Sequence, residues 1–255
     1  MNIYMEDSLD MPLGEILPIM QENILFGSTY CGVKTLKSPI EAWIYQEIVF
    51  EIKPDVIIEI GNANGGSALL LAHLCDVIGK GRVIGIDLSH SNVPECVTAH
   101  PRITFIDGDA CERFDEVDRL ISKDERVLVI EDSAHTYANT LNVLRLYSKF
   151  IKLGDYFIVE DSICHHGLSI GPKPGPYEAI ETFVKENADF ESDRSRERFL
   201  MTWNPKGYLK RTTLKNTHSF IEQSKVVAKL SVRETLSLFI PPIIILMIQR
   251  LTKKR

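Results

Sequence analysis

Short apolar runs with an acidic residue at or beside their ends recur through the middle of the chain. Runs of this kind predict parallel strands that are buried on both faces of a sheet. The five predicted strands are 56–61, 82–87, 103–106, 126–132 and 156–161. Segments with apolar residues at helical spacing separate them, notably at 66–79 and 136–151. This alternation predicts an α/β fold with a doubly wound, mostly parallel sheet.

Helix-start and turn signals complete the pattern. A serine cap followed by a proline, at Ser38–Pro39, predicts a helix that runs to about Glu51. The segment 167–177 is rich in glycine and proline and predicts a loop beside the end of the fifth strand. The remaining predicted elements are a helix near 177–187 and two short strands near 189–193 and 198–203, with an antiparallel last strand.

Charge is divided unevenly along the chain. The 255 residues carry a net charge of −6, but residues 210–255 alone carry +8, which leaves −14 on residues 1–209. An acidic main domain argues against nucleic-acid binding. The five cysteines have no paired spacing, and the N-terminal segment lacks the basic and apolar parts of a secretory signal. Both features favour a cytoplasmic protein.

Six acidic residues follow the predicted strands, namely Glu59, Asp87, Asp109, Asp132, Glu160 and Asp161. Ligands of open α/β sheets bind at the carboxyl ends of the strands, so these side chains would converge on one crevice. Each acid could instead cap the helix that follows it. Six carboxylates in one crevice would repel one another unless cations or hydrogen-bond donors offset their charge. The whole set therefore predicts a ligand site.

The turn after the first of these strands predicts a cofactor site. It has the form E-x-G-x-x-x-G and contains the candidate cofactor-binding residues Glu59, Gly61, Asn62, Gly65 and Ser67. Glycines let the backbone approach a ligand closely, and the following helix presents its N–H groups. The dinucleotide fingerprint G-x-G-x-x-G fails because Ala63 takes the position of the second glycine. The turn favours S-adenosylmethionine, whose positive sulfonium and amino groups suit Glu59.

Two further acids are candidates for contacts with the adenosine part of the cofactor. Asp87 ends the second strand, where an acid accepts hydrogen bonds from ribose hydroxyls of NAD and of S-adenosylmethionine alike. Asp109 follows the third strand and could accept from the adenine amino group or cap a helix. The two residues thus predict a cofactor that contains adenosine, but they do not decide which reaction the protein catalyses.

Three carboxylates would meet if the fourth and fifth strands are neighbours. Asp132, Glu160 and Asp161 follow these strands, and hard oxygen ligands select Mg²⁺, Mn²⁺ or Ca²⁺ over zinc. His135 lies three residues past Asp132 and is a candidate catalytic base, although a single histidine is more often structural. Glu131 should face away from the metal site, because neighbouring residues on a strand point to opposite faces of the sheet. A helix cap beside a solvated acidic pair is the alternative interpretation.

Several segments, taken in order, resemble the cephalosporin hydroxylase/rhamnosyl O-methyltransferase family. The resemblance covers roughly residues 30–211. The matching segments are Ile58–Gly61 with Gly65–Ser67, Gly85–Asp87, His100–Ile103, Val127–Ile130, Asp132–Ser133 with His135–Tyr137, Gly154–Asp161, Gly175–Pro176 and Asn204–Lys210. One departure is Ala134, where relatives often carry an acid.

The resemblance implies a Rossmann-like methyltransferase fold, S-adenosylmethionine as methyl donor and a Mg²⁺ (or Mn²⁺) site. Asp132, Glu160 and Asp161 match the family's metal carboxylates. Asp132 and His135 also have the ligand-and-base spacing of related sugar O-methyltransferases. What the resemblance implies is therefore an O-methyltransferase that acts on a hydroxyl, with a sugar of a glycan or glycolipid as the expected acceptor.

The C-terminal tail is predicted to have a role of its own. The predicted domains are an N-terminal helical extension at 1–52, an S-adenosylmethionine-binding domain at 53–211 and a helical tail at 212–255. Within the tail, residues 236–248 are almost wholly apolar and lie between basic residues, but they are too few to span a bilayer. They predict either a helix buried in a homo-oligomer interface or, through 232–255, a peripheral contact with the inner face of the membrane.

Two other functions stay open from the residues alone. A hydroxylase or another oxidoreductase could use the same scaffold, although the disrupted glycine fingerprint counts against it. The sequence also lacks a recognisable set of two histidines and one carboxylate for iron. A non-catalytic partner of another biosynthetic enzyme is the second alternative, and the complete set of carboxylates argues against it.

Overall fold

Helices and strands alternate along the chain. The computed structural model describes residues 4, 6 and 8–212. Its strands are β1 (Thr29–Tyr30), β2 (Val33–Lys34), β3 (Val56–Ile60), β4 (Arg82–Asp87), β5 (Ile103–Asp107), β6 (Val127–Glu131), β7 (Tyr156–Val159), β8 (Phe190–Ser192) and β9 (Tyr208–Arg211). Its α-helices are α1 (Leu13–Gly27), α2 (Pro39–Ile52), α3 (Gly66–Ile78), α4 (Glu95–Thr98), α5 (Phe114–Arg119), α6 (Tyr137–Tyr147) and α7 (Pro176–Glu186).

Seven of these strands form one sheet, in the order β5-β4-β3-β6-β7-β9-β8. The strands from β5 to β7 are parallel, and β9 is antiparallel to both of its neighbours. The predicted α/β class and the antiparallel last strand are thereby confirmed. The chain proceeds from β3 through β4 to β5 and then returns to β6 on the other side of β3. A ligand crevice forms at such a switch point of an open α/β sheet, which here lies between β3 and β6.

Alternate residues of the strands pack into two cores on opposite faces of the sheet. Ile58 and Val129 belong to the core that includes α6 and α7, whereas Ile57 and Ile130 belong to the core that includes α2 and α3. Because strand neighbours alternate faces, Glu59 lies on the α2–α3 face. The strand register therefore decides which helices each buried acid can meet.

The predicted start of α2 is confirmed, but one predicted strand is wrong. Ser38 Oγ accepts a hydrogen bond from the backbone N–H of Ile40 at 3.2 Å, as a helix cap should. The strand predicted at 198–203 does not form, because the strand that pairs with β7 is β9. Arg196 and Arg198 form ion pairs with glutamates of α2, and these contacts hold the segment on that helix instead of in the sheet.

Besides the predicted helices, the extension at 1–52 contains the β1–β2 hairpin. Cys31 and Gly32 form its turn with positive φ angles of 49° and 82°. The backbone that leaves the hairpin lies directly on the start of α3, because a Cβ atom on Gly66 would be 2.5 Å from the carbonyl oxygen of Lys34. The glycine at this position lets the segment after the hairpin approach the carboxyl ends of the strands.

The predictions for the C-terminal tail lie outside the described residues. These are the apolar run at 236–248 and the membrane or subunit contact through 232–255. Within residues 4, 6 and 8–212, no helix has both the length and the apolar character needed to cross a bilayer. The domain boundaries and the homo-oligomer stay predictions.

Gly61→Ala should destabilise the fold strongly. Gly61 has a φ of +88°, and a Cβ atom there would be 1.9 Å from the carbonyl oxygen of Asp132. We expect the free energy of unfolding, measured by equilibrium urea denaturation, to fall by more than about 3 kcal/mol. Gly79→Ala is the matched control, because Gly79 has a φ of +75° and no atom within 4 Å of the added Cβ. At Gly79 the positive φ angle alone should lower the free energy of unfolding by about 1 kcal/mol. An equal loss for the two variants would show that the close contact with Asp132 does not matter.

Candidate active site

The carboxyl ends of the central strands open into a cleft of about 420 Å³. Eight of the eleven predicted site residues line it: Gly61, Asn62, Ser67, Asp87, Asp109, Asp132, His135 and Asp161. The other three, Glu59, Gly65 and Glu160, are buried behind its wall. The structure thus brings most of the predicted cofactor residues and most of the predicted metal-site residues to one cavity.

Asp87 shapes the glycine-containing turn that follows β3. Its Oδ2 accepts hydrogen bonds from the backbone N–H groups of Asn62 and Ala63, both at 2.8 Å. Its Oδ1 accepts from the backbone N–H of Leu88 at 2.7 Å. Asp87 therefore both lines the cleft, as predicted, and holds the turn in the conformation that leaves its backbone open to a ligand.

Two predicted cofactor residues support the turn from behind. The Glu59 carboxylate is fully buried and accepts a hydrogen bond from Asn62 Nδ2 at 2.6 Å. Gly65 precedes α3 with a φ of +82°, and a Cβ there would be 2.8 Å from the Val93 side chain. Both residues determine the path of the turn, and neither presents a polar group to the cleft.

Asp109 holds the turn before α5 and is not the helix cap that was the alternative interpretation, because α5 begins at Phe114. Its Oδ1 accepts from the backbone N–H groups of Cys111 and Glu112, at 2.8 Å and 3.3 Å. It also lines the cleft, so a contact with a cofactor stays a prediction. His90 was not foreseen from the sequence, and its Nε2 lies 3.1 Å from Asn62 Oδ1. No motif marks His90, which reaches the turn from the loop after β4.

Asp132, His135 and Asp161 form a cluster at the end of the cleft next to β6. One ligand atom of each lies within 4.8 Å of the others. His135 Nε2 is 3.3 Å from Asp161 Oδ2 and 3.8 Å from Asp132 Oδ1. Desolvation, followed by repulsion from the Asp132 carboxylate, raises the pKa of Asp161.

The backbone and side chains of this cluster are compatible with a divalent cation. His135 and Asp161 both have a φ of +52°, a conformation that non-glycine residues keep only where the surroundings impose it. His135 Nδ1 is buried and has no hydrogen-bond partner among the described residues. Two carboxylates with one imidazole are a donor set that Mg²⁺ or Mn²⁺ accepts.

Glu160 lies outside this cluster and contacts a lysine that the sequence did not single out. Lys37 Nζ donates to Asp132 Oδ2 at 2.6 Å and to Glu160 Oε1, and it lies 3.7 Å from Glu59 Oε1. Desolvation disfavours the ammonium, but the three carboxylates outweigh it and raise the pKa of Lys37. Only its place just before the Ser38 cap could have drawn attention to Lys37, since no motif includes it.

Glu131 points away from the cluster, in agreement with the alternation argument. Its buried carboxylate accepts a hydrogen bond from Thr140 Oγ1 of α6 at 3.2 Å. Desolvation raises the pKa of Glu131, and the Ser133 hydroxyl opposes that shift by donating to the carboxylate. Neighbouring residues on β6 and just after it thus have separate roles on opposite faces of the sheet.

A family model described as Rhamnosyl O-methyltransferase/CmcI matches residues 23–212. The chain belongs to this family. Rhamnosyl O-methyltransferases of Mycobacterium tuberculosis (strain ATCC 25618 / H37Rv) and Mycobacterium leprae (strain TN) are 35% and 36% identical to it over 191 and 192 residues. The alignments span 71% of this chain in both cases, and 77% and 82% of the respective relatives. The resemblance noted in the sequence is confirmed, and the protein is an O-methyltransferase.

Solved structures agree with this fold. A CmcI structure with Mg and S-adenosylmethionine has a TM-score of 0.57 and 24% identity, and the match covers 73% of this chain and 77% of CmcI. An apo structure of CmcI has the same TM-score at 25% identity, with 73% and 76% covered. TomG from Streptomyces achromogenes, an O-methyltransferase in complex with S-adenosylmethionine, has a TM-score of 0.51 at 16% identity over 69% of this chain and 82% of TomG.

Asn204→Ala should destabilise the protein through the backbone of Asp161. Asn204 is fully buried, and its Oδ1 accepts from the backbone N–H of Asp161 at 3.2 Å. Alanine leaves this N–H without its acceptor and also removes the bond that Asn204 Nδ2 donates to the Tyr45 hydroxyl at 3.1 Å, and together these losses should cost about 2 kcal/mol in urea denaturation. Asn187→Ala is the control, because Asn187 Nδ2 bonds only the carbonyl of Phe183 near the end of α7. Its loss should stay below about 1 kcal/mol, and a larger loss for Asn187 would refute the assignment.

Proposed function

We propose that this O-methyltransferase moves a methyl group from S-adenosylmethionine to a hydroxyl of a sugar in a glycan or glycolipid. A divalent cation, Mg²⁺ or Mn²⁺, would bind to the carboxylates of Asp132 and Asp161, beside His135. The observation that carries the proposal is that this cluster opens onto the same cleft as the turn after β3. A donor and an acceptor held in one cavity can react at the high effective concentration that group transfer needs.

The half of the cleft next to β3 and β4 suits S-adenosylmethionine. The backbone after β3 lines the cleft at Gly61 and Asn62, and α3 begins beside the same region, where the N–H groups of its first turn can meet a ligand. Asp87 lies beside this turn, where it can accept from a ribose hydroxyl. When bound, S-adenosylmethionine supplies an electrophilic methyl group on its sulfonium. CmcI, which gives its name to the same family, has been solved with Mg and S-adenosylmethionine.

The other half of the cleft supplies the groups for the acceptor hydroxyl. Asp132 and Asp161 belong both to the predicted ligand set and to the observed cluster, while Glu160 stays a predicted ligand. When bound, the divalent cation supplies positive charge that lowers the pKa of the hydroxyl. His135 accepts the hydroxyl proton at Nε2, the nitrogen that faces both carboxylates.

The acceptor class rests on the relatives. The mycobacterial relatives are named for methylation of a rhamnosyl group, and rhamnose is a sugar with free hydroxyls. The hydroxylase alternative has less support, because non-haem iron enzymes use two histidines and one carboxylate. The observed cluster has one histidine and two carboxylates.

Asp132→Asn should abolish most of the methyl-transfer activity, although the asparagine side chain has nearly the same shape as the aspartate that it replaces. The variant removes a negative charge that would hold the cation, and we expect methyl transfer to fall about 100-fold or more. The assay incubates the full chain with S-adenosylmethionine, MgCl₂ and a rhamnose-containing glycolipid, and mass spectrometry follows the methylated product. Asp118→Asn is the control, since Asp118 pairs with Lys149 away from the cleft. Undiminished transfer by Asp132→Asn would refute the proposal.

The His135→Ala variant distinguishes two possible roles of His135, namely a catalytic base and a metal ligand. If His135 is the base, methyl transfer should fall about 100-fold or more, while Mg²⁺ affinity measured by isothermal titration changes less than about 3-fold. His165→Ala serves as the control, because the exposed His165 bonds the carbonyl of Gly171 and should leave both quantities unchanged. Loss of Mg²⁺ binding in His135→Ala would instead show that the imidazole is a ligand.

A further inference from the structure

Among the described residues, Lys37 is the buried cation at the site that the proposed chemistry leaves without a role. Its side chain is 4% exposed, and its ammonium donates to Asp132 and Glu160. Glu59 Oε1, at 3.7 Å, is the third carboxylate oxygen around it. The ammonium thus connects the predicted cofactor acid Glu59 with two of the predicted metal carboxylates.

The backbone holds this ammonium in place from two sides. On one side, the chain before Lys37 is packed against α3, where Gly66 leaves room for the Lys34 carbonyl. On the other side, Ser38 caps α2 immediately after Lys37. The backbone N–H of Thr35 also donates to the carbonyl of Ser28 across the hairpin at 3.1 Å. Lys37 therefore reaches the carboxylates from a segment that is hydrogen-bonded and packed.

The Lys37 ammonium donates hydrogen bonds to two carboxylate oxygens of the predicted metal ligands. A metal ion bound by these carboxylates would need the same oxygens. Asp132 Oδ2 is 2.6 Å from Lys37 Nζ, and Glu160 Oε1 is also bonded to it. A lone pair that accepts from an ammonium is not available to a divalent cation. Asp132 Oδ1, by contrast, faces His135 in the cluster.

We propose that Lys37 is a positioning residue that sets the affinity of the site for divalent cations, by competing with them for Asp132 and Glu160. The proposal rests on the proposed function only in that a divalent cation is the ligand. The ammonium holds the two carboxylates in place before the cation binds. It also offsets part of their charge, so that the cation binds reversibly and less tightly than the same carboxylates would bind it without the ammonium.

The first test measures cation binding directly, with MgCl₂ alone and the full chain. Isothermal titration should show at least about 10-fold tighter Mg²⁺ binding by Lys37→Met, because the competing charge is gone. Lys37→Arg keeps the charge and should stay within about 3-fold of the unaltered chain. Lys34→Met is the matched control, because Lys34 lines the same cleft but is absent from the ion pairs described for these carboxylates.

Thermal unfolding provides a second measurement, because Lys37→Met leaves buried carboxylates without their counter-ion and should lower the Tm. The expected result is a larger rise of Tm with MgCl₂ in Lys37→Met than in the unaltered chain, because binding to the folded state raises stability. Unchanged or weaker Mg²⁺ binding by a folded Lys37→Met would overturn the proposal. So would a variant that stays unfolded in MgCl₂.

The outcome is independent of the test of methyl transfer. If Mg²⁺ binds Lys37→Met and not the unaltered chain, competition by Lys37 is supported, and the cation of the proposed function is called into question. If Mg²⁺ binds neither chain, the proposal for Lys37 is overturned. If the methyl-transfer assay fails while Lys37→Met tightens Mg²⁺ binding, the proposed function is wrong and the role of Lys37 stands.

Discussion

A single ammonium surrounded by three carboxylates, two of them buried, determines how the functional edge of this sheet is built. Lys37 joins Asp132 and Glu160, and it lies near Glu59, so that the ends of three strands are tied to the segment before α2. Buried charges of one sign repel one another and lose hydration, and a nearby cation offsets part of both costs. The segment before α2 therefore contributes to the site, although it precedes the first strand of the seven-stranded sheet.

Strand register explains why these particular acids meet. Glu59 lies on the sheet face covered by α2 and α3, because it alternates with Ile58 and shares its face with Ile57. Glu131 lies on the opposite face and bonds Thr140 of α6. Acids that are adjacent in sequence are thus separated by the thickness of the sheet. Acids on three different strands are brought into one group on the side that Lys37 can reach.

Backbone clearance is the second condition for the site. Gly61 lets β3 turn within van der Waals distance of the Asp132 carbonyl, and Gly66 lets the segment after the hairpin lie on α3. The turn after β3 is then held by the Asp87 carboxylate through the N–H groups of Asn62 and Ala63. These contacts place the turn after β3 beside the Asp132–His135–Asp161 cluster, so that both open onto one cleft.

Much of the fold and most of the site follow from the sequence. Apolar runs identify the parallel strands because strands buried on both faces need continuous apolar residues, and acids at their ends mark the crevice. The residue pattern also identifies the turn at Gly61 and the pair Asp132 and His135. Local signals do not reveal contacts between distant segments, which is why the strand at 198–203 was wrong and Lys37 was missed. Only the packing of α2 on one face of the sheet brings that ammonium to the carboxylates, and burial then strengthens their attraction, because little water screens the charges.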